Sequence, residues 1–223
     1  MLLQIPNVLK PEEITALRGM LTDASFEDGG ATAGFAAREV KKNLQIPVAS
    51  EIGRKGGAIV LEALRRNAMF FSAALPHRIH GPIFNRYDTG MTYGEHVDNA
   101  LMGSPISVRS DVAATLFLTP PEDYDGGELT VHDSYGAHRI KLAAGNMIVY
   151  PATSRHRVEP ITRGSRVSVV MWIQSLVRDE MQRRLLFEMD VALGSLRKQK
   201  GTEKEGATLT SVYHNLVRLW SET

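Results

Sequence analysis

The sequence predicts an α+β protein in which an antiparallel β-sandwich or jelly roll is flanked by helices on both sides. Three observations predict it. Between about Ile79 and Ser175, short runs rich in β-branched and aromatic residues alternate with turn residues at close spacing. No stretch of helical period separates those runs, which argues against a parallel sheet built from crossover units. Amphipathic helical patterns precede Pro76 and resume at Arg178. At 223 residues the chain is ample for one domain and short for two. The expected division is an N-terminal helical region over residues 1–77 that packs on the core, a jelly-roll core over 78–176, and a C-terminal helical segment over 177–223.

The first helix opens at Lys10-Pro11-Glu12-Glu13, because proline suits the first turn and acids complement the positive end of the helix dipole. Ile14, Leu17 and Leu21 then recur at helical spacing. Residues 29–34, Gly-Gly-Ala-Thr-Ala-Gly, read as a loop. A second helix opens near Ser50, carries Ile59, Val60, Leu61 and Leu64 toward Arg65-Arg66, and ends between Asn67 and Pro76.

Strands are expected over 84–87, 112–118, 128–132, 139–142, 147–150 and 166–174. Asp88-Thr89-Gly90, Pro120-Pro121, Asp125-Gly126-Gly127, Gly145-Asn146 and Arg163-Gly164 punctuate them as turns. Asp125-Gly126-Gly127 is most simply a tight turn that uses glycine's tolerance of positive φ. The next helix begins at Arg178, with Met181, Leu185, Leu186, Met189 and Leu193 on one stripe. A polar linker over 197–206 precedes a last helix with Leu209, Val212, Leu216 and Leu219. Those apolar positions can be buried within one chain or between two, so a homo-oligomer stays open.

Composition excludes several classes of function. Lys plus Arg (26) against Asp plus Glu (25) leaves +1, so no global field favours nucleic acid or an anionic membrane. Arg183-Arg184 and the 197–200 cluster read as solvated charges, interleaved with Glu180, Glu203 and Glu205. The absence of cysteine removes disulfides, thiolate metal sites and cysteine nucleophiles together, so any metal must sit on His, Asp or Glu. The N-terminal residues lack the basic and apolar regions of a secretory signal, and Val169-Val170-Met171-Trp172-Ile173 is far below the ~20 residues of a membrane helix. A soluble, cytoplasmic protein is expected.

Of seven histidines, His96 and His156 sit in suggestive company. Glu95-His96-Val97-Asp98 puts an imidazole and a carboxylate two residues apart, and in an extended chain such residues project to one face. Alone, this tripeptide is a weak signal that a polar strand edge also explains. His156 adds a second imidazole sixty residues on, although by itself it reads equally as a loop residue between two arginines. Two imidazoles and one carboxylate form a facial triad, which leaves three positions of an octahedral Fe(II) open for a bidentate ligand and O2. Arg166, ten residues further, heads a run in which Arg166, Ser168, Val170 and Trp172 share one face if alternation holds. A guanidinium pointing into a β core needs a carboxylate to meet its fork. A solvated arginine at a strand start is the alternative.

In their order, His96-Val97-Asp98, His156 and Arg166 resemble the His-x-Asp, His, Arg pattern of the Fe(II)- and 2-oxoglutarate-dependent dioxygenases, in the prolyl/lysyl-hydroxylase-like branch. More closely, the chain is similar to the bacterial PKHD-type hydroxylases, a group often associated with iron uptake. The run from Phe84 to Ala100, Asp125-Gly126-Gly127-Glu128-Leu129 and the tail from His214 to Trp220 carry that resemblance over nearly the whole chain. It implies a double-stranded β-helix (jelly-roll) core flanked by helices. It implies His96, Asp98 and His156 as iron ligands and Arg166 as the residue that holds the distal carboxylate of 2-oxoglutarate. It further implies that hydroxylation of a prime substrate, not identified by the sequence, consumes 2-oxoglutarate and O2 and releases succinate and CO2. L-ascorbate (vitamin C), which returns over-oxidised iron to Fe(II), is implied in the same way.

Tyr87 is a candidate donor to the co-substrate, with packing in the β core as the alternative. Trp172 is expected behind the site, Asn99 beside Asp98, and Thr115 or Tyr150 facing the cavity. A cupin-like module that binds a metal or ligand without turnover is the contrasting reading. Halogenation is disfavoured, because Asp98 supplies the carboxylate that a halide would have to replace.

Overall fold

The computed structural model describes residues 1–22, 24–32, 39–103, 105 and 107–222. The helices are α1 (Pro11–Thr22), α2 (Glu51–Arg65), α3 (Ala68–Ala74), α4 (Glu180–Leu196) and α5 (Glu203–Trp220). The strands are β1 (Leu3–Ile5), β2 (Glu27–Asp28), β3 (Lys41–Lys42), β4 (Leu44–Gln45), β5 (Pro76–Asp88), β6 (Thr92–His96), β7 (Leu101–Met102), β8 (Val108–Arg109), β9 (Val112–Phe117), β10 (Tyr124–Gly126), β11 (Leu129–Asp133), β12 (Gly136–Ile140), β13 (Met147–Pro151), β14 (His156–Val158) and β15 (Ile161–Ser175). The expected loop over 29–34 is a 3-10 turn at Gly29–Thr32, and residues 33 and 34 lie outside the described part. Among the described residues no helix is long and apolar enough to cross a membrane.

All strand pairs are antiparallel. The larger sheet runs β1-β13-β9-β15-β5-β4-β2, with β10 paired to one end of β15; the smaller runs β12-β11-β14-β6-β3. The two sheets enclose Tyr87, Phe117, Tyr124, Leu129, Val131, Ile148, Tyr150 and Ile161. The outer face of the larger sheet is covered by α1, α2 and α3, which bury Leu17, Val60, Leu64 and Phe70 against Phe84, Leu116, Val169 and Met171. This is the jelly-roll sandwich with helices on one side, and the alternation along β15 explains it. Val169, Met171 and Ile173 face the helices, while Arg166 and Trp172 face the opposite sheet.

α2 approaches the sheet closely because its buried side is lined with glycine. A Cβ on Gly56 would come within 2.8 Å of the Phe84 ring. Glycine in a helix interior costs about 1 kcal/mol relative to alanine, and close packing on β5 offsets it. The single helix expected from Ser50 toward Pro76 is two. Asn67 interrupts it, accepts the Phe70 N–H at 2.8 Å and caps α3.

The strand expected over 84–87 is the 13-residue β5, because its long partner β15 satisfies the backbone over nearly its whole length. The strand expected over 139–142 lies earlier, as β12. Short strands with polar residues, including β6 and β14, escaped the hydrophobic pattern. The C-terminal helices form a third cluster in which Leu75, Val177 and Leu186 pack with Tyr213, Leu216 and Trp220. Arg183 is not solvated as expected. It is buried, and its Nη1 donates to the carbonyls of Val177 and Arg178 at 2.7 and 2.6 Å.

Candidate active site

β6 and β14 pair so that His96 and His156 are register partners, which brings both rings to one face of the smaller sheet. Asp98 follows two residues after His96, just beyond the strand. Its Oδ1 lies 3.9 Å from Nε2 of His96 and 3.8 Å from Nε2 of His156. One ligand atom from each residue falls within 4.8 Å of the others. The second ring nitrogens are already used: Nδ1 of His96 lies 2.8 Å from the Gly94 carbonyl, and Nδ1 of His156 lies 3.0 Å from the Ser154 carbonyl. A carbonyl only accepts, so each Nδ1 carries a proton, and the neutral form of each ring presents its Nε2 lone pair toward Asp98. That tautomer is the one a metal requires.

Electrostatics favour the same state. Burial, followed by the neighbouring His156, pushes the His96 imidazole down to about 3, so its ring is neutral over the physiological range. Tyr93 stacks on that ring at 3.6 Å, and Tyr150 meets His156 edge-on at 5.1 Å. Burial raises the Asp98 carboxyl above the usual range, while His156, the Trp172 indole and Lys41 pull it back. Its Oδ2 is buried without a hydrogen-bond partner, and so is the Trp172 Nε1, which approaches the carboxylate without completing a bond. A buried carboxylate oxygen left bare beside two unprotonated imidazole nitrogens fits a divalent cation.

The three residues open onto a cavity of about 60 Å3, several times the roughly 10–15 Å3 that one water needs. Arg166 lies on its wall, only 2% exposed. Its Nη1 donates to Ser168 Oγ at 2.8 Å, its Nε has no partner, and no carboxylate among the described residues pairs with it. The rings of Phe117 and Tyr87 flank the guanidinium at 5.1 and 5.5 Å. They hold the charge in place but do not neutralise it. Burial pushes the Tyr87 phenol up to about 12 against the pull of Arg166, so it keeps its proton as a donor. Tyr87 and Arg166 are register partners on β5 and β15.

Gly126 and Gly127 both have positive φ, as the turn predicted. Gly127 has a further constraint, since a Cβ there would lie 2.3 Å from Ile161 Cδ1 and 3.1 Å from Arg166 Cδ. The glycine makes room for the arginine stem.

Thr115 and Tyr150 both line the cavity as expected. Trp172 lines the cavity too, so it does not merely pack behind it. Asn99 is exposed at the rim, and no hydrogen bond joins it to Asp98 among the described residues. Sequence reasoning missed Lys41, Gln45, Asn85 and Met102. Burial pushes the Lys41 ammonium down to about 8, with Asp28 and Asp98 opposing. Gln45 and Asn43 each donate to Asn85 Oδ1 at 2.7 Å, an amide cluster buried beside the cavity. Lys41, Gln45 and Met102 come from β3, β4 and β7, two-residue strands that leave no periodic signal, whereas Asn85 is a polar residue within the long strand β5.

Comparison with known proteins agrees with this geometry. The 2OG-Fe(II) oxygenase superfamily model matches residues 82–174, and that of the PKHD-type hydroxylase C-terminal domain matches residues 180–222. A PKHD-type hydroxylase from Burkholderia ambifaria is 50% identical over 227 residues, with 100% of both chains covered. One from Xanthomonas axonopodis pv. citri is 49% identical over the same span, again with 100% of both chains covered. Among solved structures, a Pseudomonas putida prolyl-4-hydroxylase aligns with a TM-score of 0.53 at 20% identity, covering 78% of this chain and 92% of that one. A Trichoplax adhaerens prolyl hydroxylase, solved with a peptide fragment of the hypoxia inducible factor oxygen degradation domain, aligns at 0.59 and 15% identity, covering 82% and 86%. The structural likeness shows the fold, and the full-length relatives show the family. The chain therefore belongs to the PKHD-type hydroxylases, enzymes of the 2OG-Fe(II) oxygenase superfamily that depend on Fe(II) and 2-oxoglutarate.

Proposed function

We propose that the protein hydroxylates a substrate with consumption of 2-oxoglutarate and O2 and release of succinate and CO2. His96, Asp98 and His156 would hold Fe(II), and Arg166 with Tyr87 would hold the co-substrate. The observation that carries the reading is the pairing of two features of one cavity. Two imidazole Nε2 atoms and a bare carboxylate stand beside it, and a buried arginine on its wall has no internal anion.

The chemistry the metal supplies when bound is activation of O2, coupled to oxidative decarboxylation of the keto acid. The chain's own residues do the rest. Gly94 and Ser154 carbonyls keep both imidazoles in the Nε2-presenting tautomer. The Arg166 fork binds a carboxylate bidentately and so orients the co-substrate along the cavity. The Tyr87 hydroxyl adds a neutral donor to the same end. Tyr93, Tyr150 and Trp172 wall the site and limit water, which strengthens each of these contacts. L-ascorbate as reductant and a link to iron uptake are carried by family resemblance.

Anaerobic addition of Fe(II) and then 2-oxoglutarate to the apo protein tests the reading. A weak visible charge-transfer band is expected, followed by succinate formation on admission of O2. A protein that binds iron but shows neither would be the cupin-like module. A search for a 16-dalton mass gain among candidate small molecules and peptides, with iron, ascorbate and 2-oxoglutarate present, then addresses the prime substrate.

A further inference from the structure

Asp98 is the one member of the triad that no sheet ladder holds, since His96 and His156 lie on paired strands and Asp98 lies past the end of β6. What fixes its direction is the segment that follows. β7 and β8 form a hairpin in which Leu101 pairs with Arg109 and Met102 with Val108. The base of that hairpin closes at Ser110, whose N–H donates to the Ala100 carbonyl at 3.0 Å and whose hydroxyl donates to the Asn99 carbonyl. The bonded base thus begins one residue after Asp98, and Met102 of the same hairpin lines the catalytic cavity.

One side chain ties this hairpin to the far end of the chain. Arg109 Nε and Nη2 donate to the two carboxylate oxygens of Asp111 at 2.8 and 3.1 Å, and its Nη1 donates to Glu222 at 2.9 Å. Asp111 Oδ2 also accepts the Ser175 N–H at 2.9 Å, and the Glu222 N–H donates to the Leu176 carbonyl at 2.7 Å. The Arg109 guanidinium therefore joins the hairpin to the residues just beyond α5, beside the backbone bond from Glu222 to Leu176. Asp98, Arg109, Asp111 and Glu222 all stand on the walls of one cleft of about 710 Å3 between the core and the C-terminal helices.

We propose that Arg109 is a positioning residue whose grip on Asp111 and Glu222 fixes the hairpin base and so aims the Asp98 carboxylate, which makes the C-terminal segment part of the triad's geometry. This rests on the reading of Asp98 as a metal ligand. A bidentate fork has direction as well as charge, and a lysine keeps only the charge. Groups that orient metal ligands from behind typically contribute 10–100-fold to metal affinity.

The test uses the full-length apo protein and Mn(II), with free Mn(II) read by electron paramagnetic resonance and no turnover required. Arg109→Lys should weaken Mn(II) about tenfold and speed amide exchange over residues 97–103, while exchange in β9 and β15 stays as in the wild type. Glu222→Gln should weaken Mn(II) in the same direction and by less than Arg109→Lys does. Unchanged Mn(II) affinity in Arg109→Lys, even with a lowered melting temperature, would show a purely structural role and overturn the proposal. Unchanged affinity in Glu222→Gln would overturn its C-terminal half. Should Arg109→Lys fail to fold, Glu222→Gln, at a largely exposed position, carries the test alone. Asp98→Asn separates the two readings. If it binds Mn(II) like the wild type, the ligand assignment itself has failed, whatever Arg109 does.

Discussion

His96 and His156 face each other as register partners on β6 and β14, their ring centroids 4.2 Å apart. Two cationic rings at that separation would repel, and burial pushes the His96 ring further toward the neutral form. Each ring turns its Nδ1 toward a backbone carbonyl two residues earlier in the chain, which leaves both Nε2 atoms directed at Asp98.

Removing one of these rings should cost the metal before it costs the fold. His96→Ala is expected to abolish measurable Fe(II) or Mn(II) binding while leaving the far-ultraviolet spectrum intact. The change in apo stability should stay well below the 2–5 kcal/mol of a large core deletion. Calorimetric titration with Mn(II) and thermal melts of the apo protein measure the two effects. A melting temperature depressed as far as that of Leu116→Ala would contradict the expectation.

Asp98 should show the opposite balance of function and stability. Its carboxyl titrates above the unfolded value of about 3.9, so the folded apo protein holds that proton longer than the unfolded chain does. Stability therefore falls as pH rises through the interval between the two values, because the charge must then be buried unpaired. Asp98→Asn removes that cost and should stabilise the apo protein at pH 7 by roughly 1–3 kcal/mol while eliminating metal binding. Urea melts at pH 5 and pH 7 check it. The gain should be larger at the higher pH, and a loss of stability at both would refute it.

Proton uptake by Asp98 should likewise compete with the metal. Because burial raises this carboxyl, Mn(II) affinity should decrease as pH falls, with a positive slope against pH. His96, already pushed down to about 3, should add no second proton to that slope above pH 5. Mn(II) titrations between pH 5 and pH 8 give the slope directly.

Arg166 should serve the co-substrate rather than the fold. Arg166→Lys keeps the charge and loses the fork, so the apparent 2-oxoglutarate constant should rise about ten- to a hundredfold, equivalent to roughly 1.5–3 kcal/mol, with Mn(II) affinity nearly unchanged. Arg166→Ala should be worse. Succinate formation by Arg166→Ala at wild-type efficiency would remove the assignment.

Gly127 should matter through both its backbone and its neighbour. At φ +68 an alanine is strained by about 1–3 kcal/mol, and its Cβ would lie 2.3 Å from Ile161 Cδ1 and 3.1 Å from the Arg166 stem. Gly127→Ala should lower the melting temperature and also raise the 2-oxoglutarate constant. Gly90→Ala, at φ +87 with no atom within 4 Å, should show the strain without the second effect.

The sequence by itself determined the antiparallel class of the core, the helices at either end, and the order His96, Asp98, His156, Arg166. Hydrophobic period, turn residues and ligand chemistry are local properties of a chain, and they were legible for that reason. An arginine heading an apolar strand conflicts with its surroundings unless an anion or solvent meets it, and the resemblance to the dioxygenase pattern singled out Arg166. The conflict persists in the fold, where its Nε remains without a partner.

Only the tertiary structure decided which residues complete the cavity. Lys41 reaches it from the two-residue edge strand β3, Gln45 from the two-residue strand β4 between β5 and β2, and Met102 from a hairpin closed by Ser110. Strands that short carry no period, and their place depends on pairing with residues far away in sequence. Arg183 looked solvated for the same reason, since charge on an amphipathic helix says nothing about what packs above it, and Glu222 gave no signal at all. Their contacts, with Val177 and with Arg109, exist only once the C-terminal helices have closed against the end of β15.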